Sequence, residues 1–277
     1  MTTAADPTAG LPASVRTERR GAVLVVTLAR AHKRNALDDD TVRALGRLFD
    51  DLPAGVRAVV IAGDGDHFCA GLDLSSLLER DAVEGVAHSR MWHRAFAAIE
   101  SGTVPVVAAL QGAVVGGGLE LATAAHLRVA ERSAFFALPE GQRGLFVGGG
   151  ASVRVPRLIG VQRMRDMMLT GRVLSAEEGV AAGLADYLVE PGEGLARAIE
   201  LAERIATNSP VTTYAVLHAL PRVAESDPET GYVLESLMAA VAQSSPETKQ
   251  RLADFLDGRA AKVAAPPAAE HSPEAAR

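Results

Sequence analysis

The residues best suited to chemistry lie in "QGAVVGGGLELATAAH", residues 111–126, where three consecutive glycines run into a helical pattern carrying a carboxylate, Glu120, in its first turn. Glycine lets backbone approach a ligand closely and adopt dihedrals closed to other residues. The first N–H groups of a helix have no internal partner and sit at the positive end of its dipole. A glycine-rich loop opening a helix is therefore a ready anion site, and equally a tight strand-to-helix turn without a ligand. The spacing excludes a dinucleotide fingerprint, and no Lys-Ser/Thr pair follows to make a phosphate-binding P-loop. Glu120 stands three residues after Gly117. Helical side chains lean toward the N-terminus, so its carboxylate is expected over the mouth of the glycine loop.

A second glycine-bearing turn, "DGDHFCAGLDLSSLLE" (64–79), follows an apolar run. Its Ala70–Gly71–Leu72 loop leads into the helix-like "DLSSLLE" and offers the Leu72 N–H to a ligand. Two backbone N–H groups from separate loops make an oxyanion hole for a developing negative oxygen such as that of a thioester enolate. The alternative is an ordinary strand–loop–helix joint. A second carboxylate, Glu140, sits in "FFALPEGQRG", after an apolar run and a proline, a strand-exit position that suits functional groups. Two carboxylates in one partly apolar pocket divide acid and base roles by environment. Each glutamate taken singly also fits a solvated or salt-bridged residue. Cys69 reads as a small buried side chain. The seven histidines show no metal-ligand spacing, so no metal site is expected. Trp92 and His93 fit packing within a helix, with pocket lining as the sharper alternative.

The elements that must position these groups follow from periodicity. Residues 22–29, 56–63, 104–112 and 126–130 are short apolar runs, hence strands. Residues 38–52 carry Val42, Leu45, Leu48, Phe49 and Leu52 at helical spacing behind an acidic start, and helical patterns recur at 82–100 and 117–125. Strands alternating with helices predict a layered, mostly parallel α/β core. From about residue 161 helical patterns dominate, interrupted by one further strand at 184–190. Their apolar faces need cover from the core or another subunit.

The 277 residues are 48% apolar and 22% charged, as in an ordinary soluble protein, and aromatics are only 4%, so the core rests on aliphatic side chains. A net charge of −6 and the lack of a long basic block argue against a nucleic-acid partner, although "HKRN" (32–35) can meet a small anion. A single cysteine excludes an internal disulfide and fits a cytoplasmic location. No apolar run is long enough to span a membrane, and the N-terminus lacks the pattern of a signal peptide.

Seven segments in order, "HKRNALDDDTVRAL", "FCAGLDL", "PVVAALQGAVVGGGLELATAAHLRVA", "FFALPE", "RLIG", "MMLTGRVLSAEEGVAAGLADYLV" and "FLDGRA", together resemble the crotonase superfamily, the enoyl-CoA hydratase/isomerase family. The resemblance covers about residues 21–262. It implies an α/β spiral of βββα-type units with a helical C-terminal region that builds trimers, often paired as hexamers. The expected organisation is a flexible tail (1–20), whose residues also fit a late-starting first strand, an acyl-CoA-binding core (21–195), a helical trimerisation region (196–262) and a disordered tail (263–277). It implies an acyl-CoA thioester as ligand and no separate cofactor.

Carried over residue by residue, the resemblance makes the N–H groups of Leu72 and Gly117 the oxyanion donors and Glu120 and Glu140 the catalytic pair. Lys33, Arg34, Asn35 and Ala36 match the segment that meets the CoA nucleotide. Ala70, Gly71, Asp73 and Gly116 are further candidate CoA-binding residues. Arg259 or Lys262 is a candidate for a CoA phosphate. Leu74, Leu78, Met91, Trp92, Phe136 and Phe146 are candidate acyl-pocket residues. Hydratases of the family carry both glutamates, whereas isomerases and its other enzymes usually depart at one or both. A non-catalytic acyl-CoA-binding protein on this fold would need neither. The segment after Glu140, "GQRGLFVGGGASVRVPRLIG", lacks the family's usual proline-containing entry, which bears on acyl specificity.

Overall fold

The computed structural model describes residues 8, 10–76, 81–260 and 262. It divides into two compact units, Met1–Asn208 and Ser209–Arg277.

The first unit is built on a six-stranded sheet in the order β1-β2-β3-β4-β6-β9 and a three-stranded sheet in the order β5-β7-β8. The large sheet comprises β1 (Val15–Arg20), β2 (Val23–Leu28), β3 (Ala58–Gly63), β4 (Val106–Leu110), β6 (Leu127–Glu131) and β9 (Tyr187–Val189). Only the β1–β2 hairpin is antiparallel. The small sheet comprises β5 (Ala113–Val115), β7 (Phe135–Ala137) and β8 (Leu174–Ser175). After β4 and again after β6 the chain passes directly from the large sheet into the small one.

The central strands are apolar apart from Thr27 of β2 because both faces are covered. On one face Leu24, Val26, Leu28, Val59, Ile61, Val106, Ala108 and Leu110 join the main core with α1 (Asp39–Asp50) and α2 (Ala82–Glu100). On the other, Val23, Val25, Ala58, Val60, Val107 and Val129 pack against Ala198, Ile199, Leu201 and Ala202 of the later helix Gly194–Ala206. Between lie α3 (Gly117–Ala122), α4 (Ala151–Ile159), α5 (Val161–Thr170) and α6 (Ala176–Ala182), which makes Gly194–Ala206 α7. Side chains cap several helices: Asp38 accepts from the Thr41 N–H, and Asp81 and Ser175 form capping boxes with Glu84 and Glu178.

The second unit is helical: α8 (Pro210–Tyr214), a π-turn at Ala215–Ala219, α9 (Leu220–Glu225), α10 (Pro228–Ser244) and α11 (Pro246–Leu256). The chain stays helical from Pro210 to Glu225 but widens to a π-helical turn just before Pro221, which has no N–H to continue the ladder. Its helices expose large apolar side chains, with Leu237 59% and Leu256 82% exposed.

Two expected boundaries change. Residues 15–20 form β1 rather than a flexible tail. The sequence hides this because Val15 is its only buried residue among charges, the composition of a protected edge strand. The core runs to Asn208 rather than 195, because α7 covers the second face of the sheet. The expected tail over 263–277 lies outside the described residues, as do residues 1–7 and 9. Among the described residues no helix is long and apolar enough to cross a membrane.

Candidate active site

Three chain segments come side by side at one end of the small sheet. A lone parallel bridge joins Cys69 to Val114, through hydrogen bonds from the Cys69 N–H to Ala113 O (2.9 Å) and from the Val115 N–H to Cys69 O (3.1 Å). On the other side of β5, Val115 pairs with Ala137 of β7, and the Gly116 N–H donates to Ala137 O at 2.9 Å. This register delivers Ala70–Leu72, Gly116–Gly117 and Glu140 to one place, although they are far apart in sequence.

A cavity of about 310 Å³ opens there, within the range of small-molecule sites. Its wall contains Ala70, Gly71, Leu72, Gly116, Gly117, Glu120 and Glu140, so all three expected segments meet in it. The Leu72 and Gly117 N–H groups donate no hydrogen bond to any described residue. For Gly117 this is the ordinary condition of a first helical residue. For Leu72 it follows from its bridge to Leu37, in which the neighbouring Gly71 C=O and Asp73 N–H make the hydrogen bonds. A Cβ on Gly117 would lie 3.2 Å from Leu72 N and 2.9 Å from Trp92 Cζ3. The two donors are thus neighbours, with the Trp92 ring against Gly117.

The glycine triplet has separate physical causes. Gly116 has φ +53°, in the region open to glycine, and a Cβ there would lie 2.7 Å from Glu140 Oε1. A Cβ on Gly118 would strike the Cys69 carbonyl.

Glu120 is 4% exposed. Its Oε1 accepts from the Gly149 N–H at 2.7 Å and the Ala151 N–H at 3.1 Å. Burial raises its pKa above the carboxylate norm, and these N–H groups with the Arg154 guanidinium partly offset the rise. Arg154, itself buried, donates to Gly149 O (2.6 Å) and Glu120 O (3.1 Å) and so ties the 148–150 loop to α3. Glu140 holds Oε2 buried without a hydrogen-bond partner. Burial pushes its pKa up to about 7, the nearby Glu120 charge adds to the rise, and Arg143 opposes it. The pair is a set of coupled carboxyls in a partly dry pocket, one of them protonated in part near neutrality.

This arrangement has a stability consequence. A carboxyl whose folded pKa lies above its unfolded one leaves the fold unpenalised only below the unfolded pKa of 4.5. The penalty grows as pH rises from there and is complete above about 7. Glu140→Gln should therefore raise the melting temperature relative to the parent at pH 8 and change it little at pH 4, as differential scanning fluorimetry would read.

Not every candidate reaches the cavity. Leu74, Trp92 and Phe146 line it. Phe136 is fully buried in the core against Gly179, because strand alternation turns it away from the site. Met91 lies in a different recess, beside Asp39, Arg43 and Glu84. Leu78 lies outside the described residues. Asn35 is 1% exposed and serves the loop itself: its amide donates to Asp64 O (2.9 Å) and His67 O (2.7 Å) and accepts from the Arg30 N–H (3.0 Å). Its side chain is thus committed to the loop. Ala36 O accepts from Arg30 at 2.8 Å, and Asp73 is ion-paired to Lys33 and Arg30, both at 3.0 Å. These pairings, led by Lys33, hold the Asp73 carboxyl well below the usual range. Lys33 and Arg34 are exposed. Arg259, in the second unit, is bound to Asp254 and Asp257; Lys262 is exposed. Among the described residues no cluster of His, Cys, Asp or Glu is suited to a metal.

The sequence reading missed cavity residues His88, Ser89, Arg143, Leu145 and Val147. A signal for the first existed: His88 stands one helical turn before Trp92, hence on its face.

The model of the enoyl-CoA hydratase/isomerase family matches residues 18–264. A Rhodopseudomonas palustris protein, whose designation as an enoyl-CoA hydratase is provisional, has a crystal structure similar over 94% of this chain and 98% of its own, with a TM-score of 0.87 and 57% identity. Enoyl-CoA hydratase EchA19 of Mycobacterium tuberculosis is 33% identical over 208 residues, 73% of this chain and 78% of its own. The short-chain-enoyl-CoA hydratase of Clostridium acetobutylicum is 34% identical over 197 residues, 70% of this chain and 76% of its own. From a family match across most of its length and a shared architecture, the protein belongs to the enoyl-CoA hydratase/isomerase family of the crotonase superfamily.

Proposed function

We propose that the protein is an enoyl-CoA hydratase, adding water reversibly across a trans-2-enoyl-CoA to give a 3-hydroxyacyl-CoA. The observation that carries this reading is the meeting of Glu120 and Glu140 with the unpartnered N–H groups of Leu72 and Gly117 in one cavity. The thioester oxygen accepts from both N–H groups, which polarise the alkene and hold the enolate charge. Glu120 takes a proton from the water as its oxygen bonds to C3, and Glu140 gives a proton to C2. Dehydration reverses both transfers. Glu140, half protonated near pH 7, suits proton delivery. The chemistry asks for no metal or redox cofactor, because the thioester itself acidifies the α-carbon. Lys33 and Arg34 are the exposed cations best placed in this reading for the CoA phosphates.

The test is a panel of trans-2-enoyl-CoAs of graded length and bulk, with products identified by mass. A gain of one water supports the reading. A shifted alkene of unchanged mass indicates an isomerase, and tight binding without turnover indicates an acyl-CoA-binding protein. Family isomerases usually depart at one or both of the two glutamates, and a binding protein needs neither. We further propose that the apolar C-terminal helices associate as a homotrimer or homohexamer; a monomer in sedimentation experiments would overturn this.

A further inference from the structure

The two glutamates share a cavity but not an environment. Glu120 faces three successive N–H groups: Gly149 and Ala151 donate to its Oε1 at 2.7 and 3.1 Å, and the Gly150 N–H adds to them. Gly150 caps the N-terminus of α4, so the carboxyl also meets the positive end of that helix. Glu140 has no such cradle, and its Oε2 is buried without a hydrogen-bond partner. Behind the cradle stands Arg154, in the first turn of α4. Its Nη2 donates to Gly149 O at 2.6 Å and Glu120 O at 3.1 Å, and its Nη1 to Glu100 Oε2 at 3.3 Å. The Gly149–Gly150 peptide is thus held from both sides: its C=O accepts from the guanidinium and its N–H faces the carboxyl. Polarising that carbonyl strengthens the N–H as a donor. No room is left over, since a Cβ on Gly149 would lie 2.8 Å from Glu120 Oε2 and one on Gly150 2.6 Å from Arg154 Nη1. The other charged or titratable groups of the cavity are Glu140, Arg143 and His88. Behind the cradle Arg154 has Glu100 and His93 near it. Of the cations around Glu120, Arg154 alone is buried.

We propose that Arg154 is a positioning residue that holds this cradle in place and thereby makes Glu120, rather than Glu140, the proton acceptor of the pair. A buried guanidinium behind Glu120 favours its charged form, whereas Glu140 sets only its own N–H and the exposed Arg143 against burial. This rests on the hydratase reading above. The test is the pH profile of kcat/KM for the panel thioester hydrated fastest, in the parent, Arg154→Gln and Arg154→Lys, with calorimetric binding of its saturated counterpart alongside. The acid limb of that profile reports the base. In Arg154→Gln it should move up by about one pH unit, the low end for removal of a nearby opposite charge, while binding stays within a few-fold. Arg154→Lys keeps the charge but not the planar fork. It should return the limb to near the parental position while kcat stays at least about tenfold lower, because a misplaced base is costly. A folded Arg154→Gln that loses activity equally at every pH overturns the proposal and leaves the hydratase reading intact. If Arg154→Gln fails to fold, the lysine variant decides. Lowered kcat with unchanged binding supports the proposal, and parental kcat, or a loss shared by kcat and binding, overturns it. A parent that hydrates no member of the panel overturns the hydratase reading and this proposal with it.

Discussion

Glu120→Gln and Glu140→Gln should each lower kcat by about 10²–10⁴-fold, the usual contribution of a positioned acid or base. A saturated acyl-CoA should still bind either variant within a few-fold of the parent. Glutamine matches the shape, so the Gly149 and Ala151 N–H groups can still donate to the side-chain oxygen at position 120. What disappears is a group able to exchange a proton with water or carbon. Because both carboxyls act in one addition of water, the double variant should lose little beyond the worse single one. Steady-state hydration with calorimetric binding separates the two effects. Near-full hydration in either variant would remove that glutamate from the proposed mechanism.

The second large effect is expected at Gly117→Ala. The added methyl lies 2.9 Å from Trp92 Cζ3 and 3.2 Å from Leu72 N, between the two proposed oxyanion donors. Either the ring yields or the loops part, and the carbonyl seat closes in both cases. Loss of one such donor typically costs about 10²–10³-fold in kcat, and misplacement by about 1 Å is comparably expensive. The helix itself tolerates alanine better than glycine, so the fold should survive with kcat/KM reduced at least about a hundredfold. Unchanged kcat/KM in a folded variant would mean that the thioester oxygen lies elsewhere.

Much of the core was legible because its strands are extreme. β3 and β4 are buried on both faces and read as unbroken apolar runs, and β2 is interrupted only by Thr27. The small sheet was not, since strands of two or three residues are too short to show alternation. Yet that sheet sets the register that brings Leu72, Gly117 and Glu140 together. Their meeting was expected from the family resemblance rather than from any local pattern. Glycine and proline flanks marked Glu120 and Glu140. By contrast Phe136, near Glu140 in sequence, faces the core by strand parity, and Asn35 looked like a ligand but pins its own loop from a left-handed position at φ +56°. His88 and Ser89 escaped notice as cavity residues because a histidine beside a serine on a helix carries no motif.

Trp92 is the only tryptophan in the chain. It is 2% exposed, stacks edge-on to Phe96 at 5.4 Å, and forms part of the cavity wall over Gly117. All indole emission from this protein therefore originates beside the proposed thioester seat. Filling the cavity replaces solvent next to the ring and perturbs its bond to His88. The intensity and wavelength of that single emitter should track occupancy directly. The protein carries its own optical titrant, and substrates can be ranked with unlabelled protein before any turnover assay exists.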